Sequence, residues 1–568
     1  METSVASFVS SFLGCVMGEP PTQRQTEVFM AVARRADFEK LTQGDFVIPL
    51  NSPKLKSVAD AATPFGKLLL NPTEENIKLV EQTLETCRPP VGKIVVLNNM
   101  LRIHLVRVQV MKTFLPRIAK AGLRYGACKL LQQQVPITVT HRTLDTSSSL
   151  RNMRGAKLAN HLSSLLAFCG AEVNRREKQN RGGKGTSKDF MKGDDEHCEP
   201  QTTPVTEAHH PEQTLVEASM GNKRHSDKGH VKYRQGSEVR EKKPHIETLR
   251  SHTREDDSVN AAPDTTEAEM HVVCTLQTQN ILETQPQCVK EETEASVTGE
   301  GIPAQESSHT QDVSEEKDEV VSEVEFVVTD SMKRVKDGPW VYQYGGVVEV
   351  RTGGAWAGSV QEYCRILVEE LKRTSEMRQR DMDGPEWVAL LEKQAGRCLT
   401  LQLLSPTHSN PLRVEVEGDT HNTKEASFML YNYARLCSIF DHFEQCVQQG
   451  DVAPLPPVED VDFSLLRNDE EWDLVWLYLL RWPEIVEEVA VGVVGGSRRP
   501  KTAHISRFLY SLSHRWSEYY CRHQVLSEGF LPHLLPLMYA RLHLLQALST
   551  LMRTCFAVLG VDSLPSYM

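Results

Sequence analysis

Apolar residues recur at three- and four-residue spacing through the last quarter of the chain, residues 426–568, as they do in amphipathic helices. The first of these helices begins near Ala426 without Gly or Pro, and its apolar face comprises Tyr433, Leu436, Cys437, Phe440 and Phe443. A second helix is predicted at about residues 504–526 and a third from about His533, with Gly560 placed to end it. Helices of this length joined by polar loops predict an all-α bundle.

Short apolar strands alternate with helices in the region before the bundle. The predicted strands lie at residues 93–97, 136–140, 324–329 and 347–350. The predicted helices lie at residues 73–86, 150–173 and 362–372. This mixture favours an α/β class for the region, so the whole chain is expected to combine an α/β part with an all-α part.

Residues 174–320 differ in composition from both parts. They are rich in Glu, Lys, Thr, Ser, Gln and His and contain almost no aromatic residues. A segment of this kind cannot bury enough apolar surface to offset the entropy that ordering costs, so we predict a disordered insertion within the α/β region. The expected domains are residues 1–86, 87–173, 174–320, 321–425 and 426–568.

The composition of the 568-residue chain bounds its class. A hydrophobic content of 40% is enough for extended cores, and the net charge of −12 argues against a uniformly basic nucleic-acid binder. Thirteen cysteines are scattered without a C-x-x-C pair or zinc spacing, which favours reduced thiols in the cytoplasm over disulfides or a metal site. We predict no signal peptide and no membrane-spanning stretch, and no motif indicates a cofactor or a catalytic residue.

One internal stretch, residues 86–144, carries ten cations and no carboxylate. Solvated surfaces usually mix both signs of charge, so this bias favours contact with a polyanion such as RNA phosphate. The candidate contacts within the stretch are Arg102, Arg107 and Lys112. The alternative is that acidic neighbours from elsewhere in the fold balance these cations.

Charges also separate along the predicted bundle. Its first part is acidic, with six carboxylates between residues 460 and 473, and its second part is basic. Cations beside aromatic rings suit a single-stranded RNA loop, because the cations neutralise phosphates while the rings stack on splayed bases. The candidate residues are Arg498, Arg499 and Lys501 in a flexible Gly-rich loop, and Arg507, Arg515, Tyr519 and Arg522 on the helix that follows.

Four ordered strings in the bundle carry a family resemblance. They are F-x-x-Y-x-Y-A-R-L from Phe428, H-I-x-R-F-L-Y-x-L from His504, R-L-x-L-L-x-A-L from Arg541 and L-G-V-x-x-L-P from Leu559. Together they resemble the DALR anticodon-binding domain that closes arginyl-tRNA synthetases. The strings V-D-F-S-L-L and Y-N-Y-A-R-L are more similar still to the synthetase-like DALR anticodon-binding domain-containing proteins of animals. Arg435 falls on the motif arginine, where it either contacts tRNA or forms an interhelical salt bridge.

The resemblance implies a degenerate class I synthetase domain, Rossmann-like and split by the insertion, followed by the DALR bundle. The H-I-G-H signature of that class then falls on Ser149-Leu150-Arg151-Asn152, which lacks both histidines. The K-M-S-K signature falls on the lysine-free loop 351–358. Such donors stabilise charge that develops during adenylate formation, and each is worth on the order of a hundred-fold in rate. Arg351 is not an equivalent of the missing lysine.

A function also follows from the resemblance. The chain is expected to be a non-catalytic adaptor that recognises arginine tRNAs and presents them to a methyltransferase-like enzyme, which makes 3-methylcytidine in the anticodon loop. Its partners would be tRNA and that methyltransferase, with neither DNA nor a membrane. Two alternatives stay open: an arginine–tRNA ligase with aberrant signatures, and a helical scaffold for protein contacts. The basic half of the bundle argues against the scaffold, which has no reason to segregate its charges.

Overall fold

The computed structural model describes residues 5–36, 44–128, 136–143, 149–179, 324–330, 340–376, 384–495, 500–526 and 530–561. All of these residues belong to one of the two units into which the chain divides, and the other unit, residues 183–263, lies outside the described ranges. None of the helices in these ranges is long and apolar enough to cross a membrane. The same ranges contain only free cysteines and no group of three or more His, Cys, Asp or Glu side chains that could hold a metal ion.

The N-terminal part packs short helices on an antiparallel sheet. The helices are α1 (Val5–Met17), α2 (Gln23–Val32), α3 (Pro53–Lys56), α4 (Pro64–Leu70) and α5 (Glu74–Thr83). The strands lie in the order β1-β2-β4-β3 and are β1 (Arg34–Arg35), β2 (Phe46–Pro49), β3 (Val91–Leu97) and β4 (Met100–Leu105). Phenylalanines fill the layer between helices and sheet: Phe8 stacks on Phe46 with 3.8 Å between ring centroids.

The boundary expected after residue 86 does not separate these strands. Strand β2 pairs with β4 from Phe46 opposite Ile103 to Pro49 opposite Met100, so residues on both sides of the boundary share one sheet. Residues 91–105 therefore extend the N-terminal part, and the helix that follows them is α6 (Arg107–Ala121).

A parallel sheet forms the centre of the α/β region. Helix α7 (Leu150–Phe168) connects two of its strands, which is the helical crossover that neighbouring parallel strands require. The sheet order is β6-β5-β7-β8, with β5 (Ile137–Thr143), β6 (Val173–Gln179), β7 (Val324–Thr329) and β8 (Trp340–Gln343). The region is completed by a parallel pair, β9 (Val347–Glu349) and β10 (Leu412–Val414), and by helices α8 (Val360–Glu376) and α9 (Pro385–Leu404).

Strand β6 corrects the predicted start of the insertion at residue 174. It pairs with β5 along its whole length, so Arg175 and Arg176 belong to the sheet. A polar edge strand escapes a compositional argument because its backbone hydrogen bonds, more than apolar side chains, hold it in place. The rest of the predicted insertion, from residue 180, lies outside the described residues.

The all-α part is the predicted bundle. It consists of α10 (Lys424–Gln449), α11 (Asp469–Asp473), a π-helical segment (Leu474–Leu479), α12 (Trp482–Val494), α13 (His504–Arg522) and α14 (Leu535–Val558). Gly560 ends α14 with a φ of +70°, and the amide of Val561 donates to the Phe556 carbonyl at 2.9 Å. On the apolar face expected for α10, Tyr433, Leu436 and Phe443 are buried, and Cys437 and Phe440 are half-buried. The predicted combination of α/β and all-α parts is confirmed.

Buried polar contacts join the N-terminal part to the bundle. The carboxylate of Asp45 accepts from the indole N–H of Trp472 at 2.8 Å and from the Leu105 amide at 2.7 Å. Its burial raises the pKa of this carboxyl. Arg35 lies over the Trp476 ring, 4.3 Å from the centroid, and pairs with Glu484 at 2.7 Å. Each part therefore buries polar groups that the other part helps to satisfy.

Candidate nucleic-acid interface

Four arginines converge on the short acidic helix α11. The pairs are Arg107 with Asp469 at 2.7 Å, Arg522 with Glu470 at 3.0 Å, Arg541 with Glu471 at 3.0 Å and Arg515 with Asp473 at 3.8 Å. These arginines come from α6, α13 and α14, so blocks of opposite charge that lie apart in the sequence neutralise one another in the fold. For Arg107, the fold thus supplies the acidic neighbour that the alternative expected.

Tyr519 belongs to this cluster and is fully buried, so the prediction that it stacks on a base is wrong. Its hydroxyl donates to the buried carboxylate of Glu471 at 3.1 Å, and burial raises the pKa of the phenol. Arg515 is also buried, and it pairs with Glu518 at 2.7 Å in addition to α11. The expected presentation of Arg515 to RNA is wrong for the same reason: its charge is already neutralised inside the protein.

An exposed stack lies on the neighbouring faces of α10 and α13. The guanidinium of Arg435 lies between two rings, 4.6 Å from the centroid of Tyr431 and 4.4 Å from that of Tyr520. Its Nη2 donates to the Tyr431 hydroxyl at 3.0 Å, whereas its Nη1 donates to none of the described residues. The two tyrosines are 36% and 39% exposed. A cation–π contact between helices thus takes the place of the salt bridge considered for Arg435.

Further rings continue the stack along the same two helices. Phe428 precedes Tyr431 by one turn of α10, and its ring lies 4.4 Å from that of His514 on α13. Tyr510 approaches His514 edge-on at 4.6 Å between centroids. We call the set Phe428, Tyr431, Arg435, Tyr510, His514 and Tyr520 the aromatic track. All six side chains are exposed or half-buried, as bases of a single strand would require of a stacking surface.

Sequence reasoning missed most of the track, although a signal was present. Phe428, Tyr431 and Arg435 follow the i, i+3, i+7 spacing of one helical face, and Tyr433 marks the opposite, buried face. Two aromatic faces on one helix imply that one of them is exposed. On α13 we predicted that Tyr519 stacks on a base, whereas the exposed ring is that of Tyr520. Adjacent residues of a helix differ by about 100° in the direction of their side chains.

The remaining predicted contacts come from several elements. Lys501 pairs with Glu488, and the exposed Arg507 lies 3.5 Å from the hydroxyl of Thr407. Arg522 keeps a side chain that is 59% exposed while it pairs with α11. Lys112 is exposed on α6 and Arg102 is half-buried on β4. Arg498 and Arg499 lie outside the described residues.

Hydrogen bonds already engage the side chains at the two expected signature positions. Ser149 caps α7 by accepting from the Asn152 amide at 3.3 Å, and the Asn152 side chain accepts from Thr143 at 2.7 Å. In the loop after β9, Arg351 pairs with Glu417. These groups hold the local backbone, and they present neither an imidazole nor an ammonium group.

A buried arginine fixes the loops beside these positions. Arg154 of α7 donates to three backbone carbonyls, those of Gly345, Thr407 and Asn410, at 2.7–3.1 Å. Burial lowers the pKa of its guanidinium to about 10, which leaves it charged near neutral pH. Its charged guanidinium therefore holds α7 against these loops through hydrogen bonds to their carbonyls.

Comparisons with known proteins place the bundle in a family. Residues 429–567 match the DALR anticodon binding domain. DALR anticodon-binding domain-containing protein 3 of Danio rerio is 33% identical over 225 residues, which are 38% of this chain and 40% of that protein. The Mus musculus protein of the same name is 32% identical over 183 residues, 32% of this chain and 34% of that one. The matched segments thus span less than half the length of these curated relatives.

Synthetases also appear among the relatives. The arginine–tRNA ligase of Carboxydothermus hydrogenoformans is 28% identical over 152 residues, 26% of this chain and 24% of that enzyme. Two solved arginyl-tRNA synthetase structures align over 100% of both chains: that from Thermus thermophilus at 12% identity and a TM-score of 0.48, and that from Plasmodium falciparum at 11% and 0.49. The C-terminal bundle thus matches a DALR-type domain, and about a third of the chain is similar to DALR anticodon-binding domain-containing protein 3.

Proposed function

We propose that the chain is a tRNA-binding adaptor whose C-terminal bundle holds the anticodon loop of arginine tRNAs. The observation that carries the proposal is the exposed stack of Tyr431, Arg435 and Tyr520 on a bundle that matches the DALR anticodon binding domain. Splayed bases stack on exposed rings, and the adjacent guanidinium attracts the phosphates between them. The choice of arginine tRNAs draws support from the relatives named arginine–tRNA ligase.

The bundle's charges contribute less to the proposal than the sequence suggested. Because Arg515, Arg522 and Arg541 pair with α11, a segregated basic half also has a structural reason to exist. It no longer distinguishes tRNA binding from a protein scaffold. The aromatic track supports tRNA binding instead, since exposed rings that flank an arginine suit stacking on splayed bases.

We further propose that the bound tRNA is presented to a methyltransferase-like enzyme in the cytoplasm for 3-methylcytidine formation. The support is the sequence resemblance to the animal DALR anticodon-binding domain-containing proteins. Nucleoside analysis by mass spectrometry should show less 3-methylcytidine in arginine tRNAs after depletion of the chain, and the parent chain but not a Tyr431→Ala/Tyr520→Ala variant should restore it. Unchanged 3-methylcytidine after depletion would contradict the adaptor role while leaving tRNA binding open to direct measurement.

Absence of aminoacylation is part of the proposal. Ser149, Asn152 and Arg351 stand where the resemblance places catalytic donors, and each is engaged in a local contact. We expect no arginine-dependent ATP–pyrophosphate exchange, with or without tRNA, in a preparation free of host synthetase. Exchange above background that disappears when Ser149 or Asn152 is replaced would favour the ligase alternative instead.

A further inference from the structure

A cavity of about 640 Å³ opens beside the aromatic track, between helices α8, α9, α10 and α13. This volume falls within the range of about 300–1,000 Å³ that is usual for small-molecule sites. We propose that the cavity receives one unstacked nucleobase of the RNA strand that the track engages. The inference rests on the proposed function and specifies its ligand at a site that adjoins the Tyr431–Arg435–Tyr520 stack and shares only Tyr431 with it.

The walls of the cavity have the chemistry of a base pocket. One side is aromatic: Phe428, Tyr510 and His514 pack together there with centroid distances of 4.4–6.1 Å. Trp387 and Leu390 of α9 add a half-buried ring and an exposed aliphatic side chain. A flat heteroaromatic base gains stacking energy from such rings whatever its identity.

The other end of the cavity is polar and carries cations. Lys424, the first residue of α10, is exposed there. Arg373 donates to Asp419 at 2.7 Å and to the Thr420 hydroxyl at 3.2 Å. The buried carboxylate of Glu370 is already satisfied by the hydroxyls and amides of residues 420–423. The phosphate of the bound nucleotide would therefore meet Lys424, while Asp419 and Glu370 are already paired or hydrogen-bonded within the protein.

Continuity with the track favours a base over a peptide. Tyr431 lines the cavity and also contacts Arg435, so the cavity and the exposed stack share one ring. Phe428 and Arg435 are seven residues apart, which is about 10 Å along α10. Neighbouring nucleotides of one strand can therefore occupy both places. A docked helix would instead need a groove with several apolar anchor sites in a row, whereas charged and hydroxyl groups also line this cavity.

The test compares tRNA binding by the full chain with that of cavity variants. Trp387→Ala and His514→Ala should each weaken binding to an arginine tRNA transcript about 5- to 150-fold, the usual worth of one base–aromatic stack. Trp387→Phe should retain most of the affinity, and Val388→Ala should match the parent because that exposed neighbour does not line the cavity. Thermal unfolding of each variant separates lost contacts from lost folding.

Abasic substitutions along the anticodon loop locate the base. At one loop position the abasic tRNA should bind parent and Trp387→Ala equally, because the cavity contact is then already lost. If the cavity variants bind intact tRNA like the parent while Tyr520→Ala does not, the cavity proposal is wrong and the proposed function stands. If the parent binds no tRNA, both the cavity proposal and the proposed function are wrong.

Two further outcomes would assign the cavity elsewhere. Titration with AMP, CMP, GMP and UMP tests whether the cavity binds free nucleotides. If one of them binds the parent but not Trp387→Ala, while Trp387→Ala keeps the parental tRNA affinity, the assignment of the cavity to RNA is wrong. Loss of a copurifying protein from Trp387→Ala, again with unchanged tRNA affinity, would overturn it in favour of a peptide.

Discussion

At the scale of single residues, helix geometry decides which of two adjacent tyrosines is available to a ligand. Successive side chains on α13 are turned by about 100°, so Tyr519 points to Glu471 in the core while Tyr520 points to Arg435 at the surface. Tyr519 has no exposed surface and Tyr520 is 39% exposed. The same residue type is therefore a structural group at one position and a candidate stacking platform at the next.

The two tyrosines should respond oppositely to truncation. Tyr520→Ala should reduce affinity for an arginine tRNA by about 1–3 kcal/mol, the worth of one stack, and leave the unfolding midpoint close to that of the parent. Tyr519→Ala should instead cost about 3–5 kcal/mol of stability, as removal of a buried aromatic side chain usually does. Affinity and thermal unfolding, measured on both variants, check this. A folded Tyr520→Ala protein with parental affinity would contradict the role of the track.

At the scale of elements, α11 organises the bundle by collecting charges. Its carboxylates face cations from α6, α13 and α14, and the environments differ along its length: Glu471 is fully buried, whereas the partner of Glu470, Arg522, is mostly exposed. Asp473 is desolvated enough that its pKa rises to about 6 despite the nearby Arg515. We therefore expect the strength of each pair to depend on burial more than on distance.

Neutralising two adjacent carboxylates of α11 should show this difference. Glu471→Gln leaves the charge of Arg541 without its buried partner and weakens the acceptor of Tyr519, so we expect a loss of about 3–5 kcal/mol in the free energy of unfolding. Glu470→Gln is the matched control and should cost at most about 1 kcal/mol, since its pair with Arg522 is largely solvated. Chemical denaturation of both variants provides the values. Equal losses would mean that burial does not set the strength of these pairs.

Much of the element order could be predicted from the sequence, and the failures have physical causes. The bundle helices are predictable because one face of each is apolar, and β7 because it is a short run of apolar residues; both patterns are local in the sequence. Strand β6 was missed because its partner β5 lies across the α7 crossover, and pairing of this kind leaves little trace in composition. The prediction of the site failed because charge pairing depends on the fold. In the sequence Arg515 has no evident partner, whereas the fold places Asp473 and Glu518 beside it.

At the scale of the whole molecule, parts that look separate in the sequence are joined through shared interiors. Asp45 and Arg35 of the N-terminal part are satisfied by Trp472, Trp476 and Glu484 of the bundle. Buried contacts of this kind hold the bundle against the N-terminal part. The aromatic track is consequently presented by a rigid support, which favours binding because little ordering entropy is lost.

The sheet topology places a limit on how much of the chain between β6 and β7 can be removed. These strands flank β5 and run parallel, so the connection must return from the level of Thr143 to that of Ile137 and cross two strand spacings. That is about 20 Å along the strands and about 10 Å across them. Deletion of residues 180–318 leaves residues 319–323, which reach only about 22 Å when fully extended and have no slack to pass over α7 or the sheet face.

Two deletions should therefore behave differently. Deletion of 180–318 should prevent cooperative folding, because a parallel crossover needs a dozen or more residues. Deletion of 200–305 retains about 40 residues, ample for that crossover, and should leave the unfolding transition in place. Relative to the parent, deletion of 200–305 should even stabilise the protein by about 1 kcal/mol, since each halving of a loop lowers its closure cost by about 0.6 kcal/mol. Differential scanning calorimetry of both variants, with tRNA affinity as a second readout, checks the pair. If the variant that lacks residues 180–318 folds like the parent, the parallel placement of β6 beside β5 is wrong. If the variant that lacks residues 200–305 unfolds, those residues contribute to the core and the interpretation of their composition is wrong.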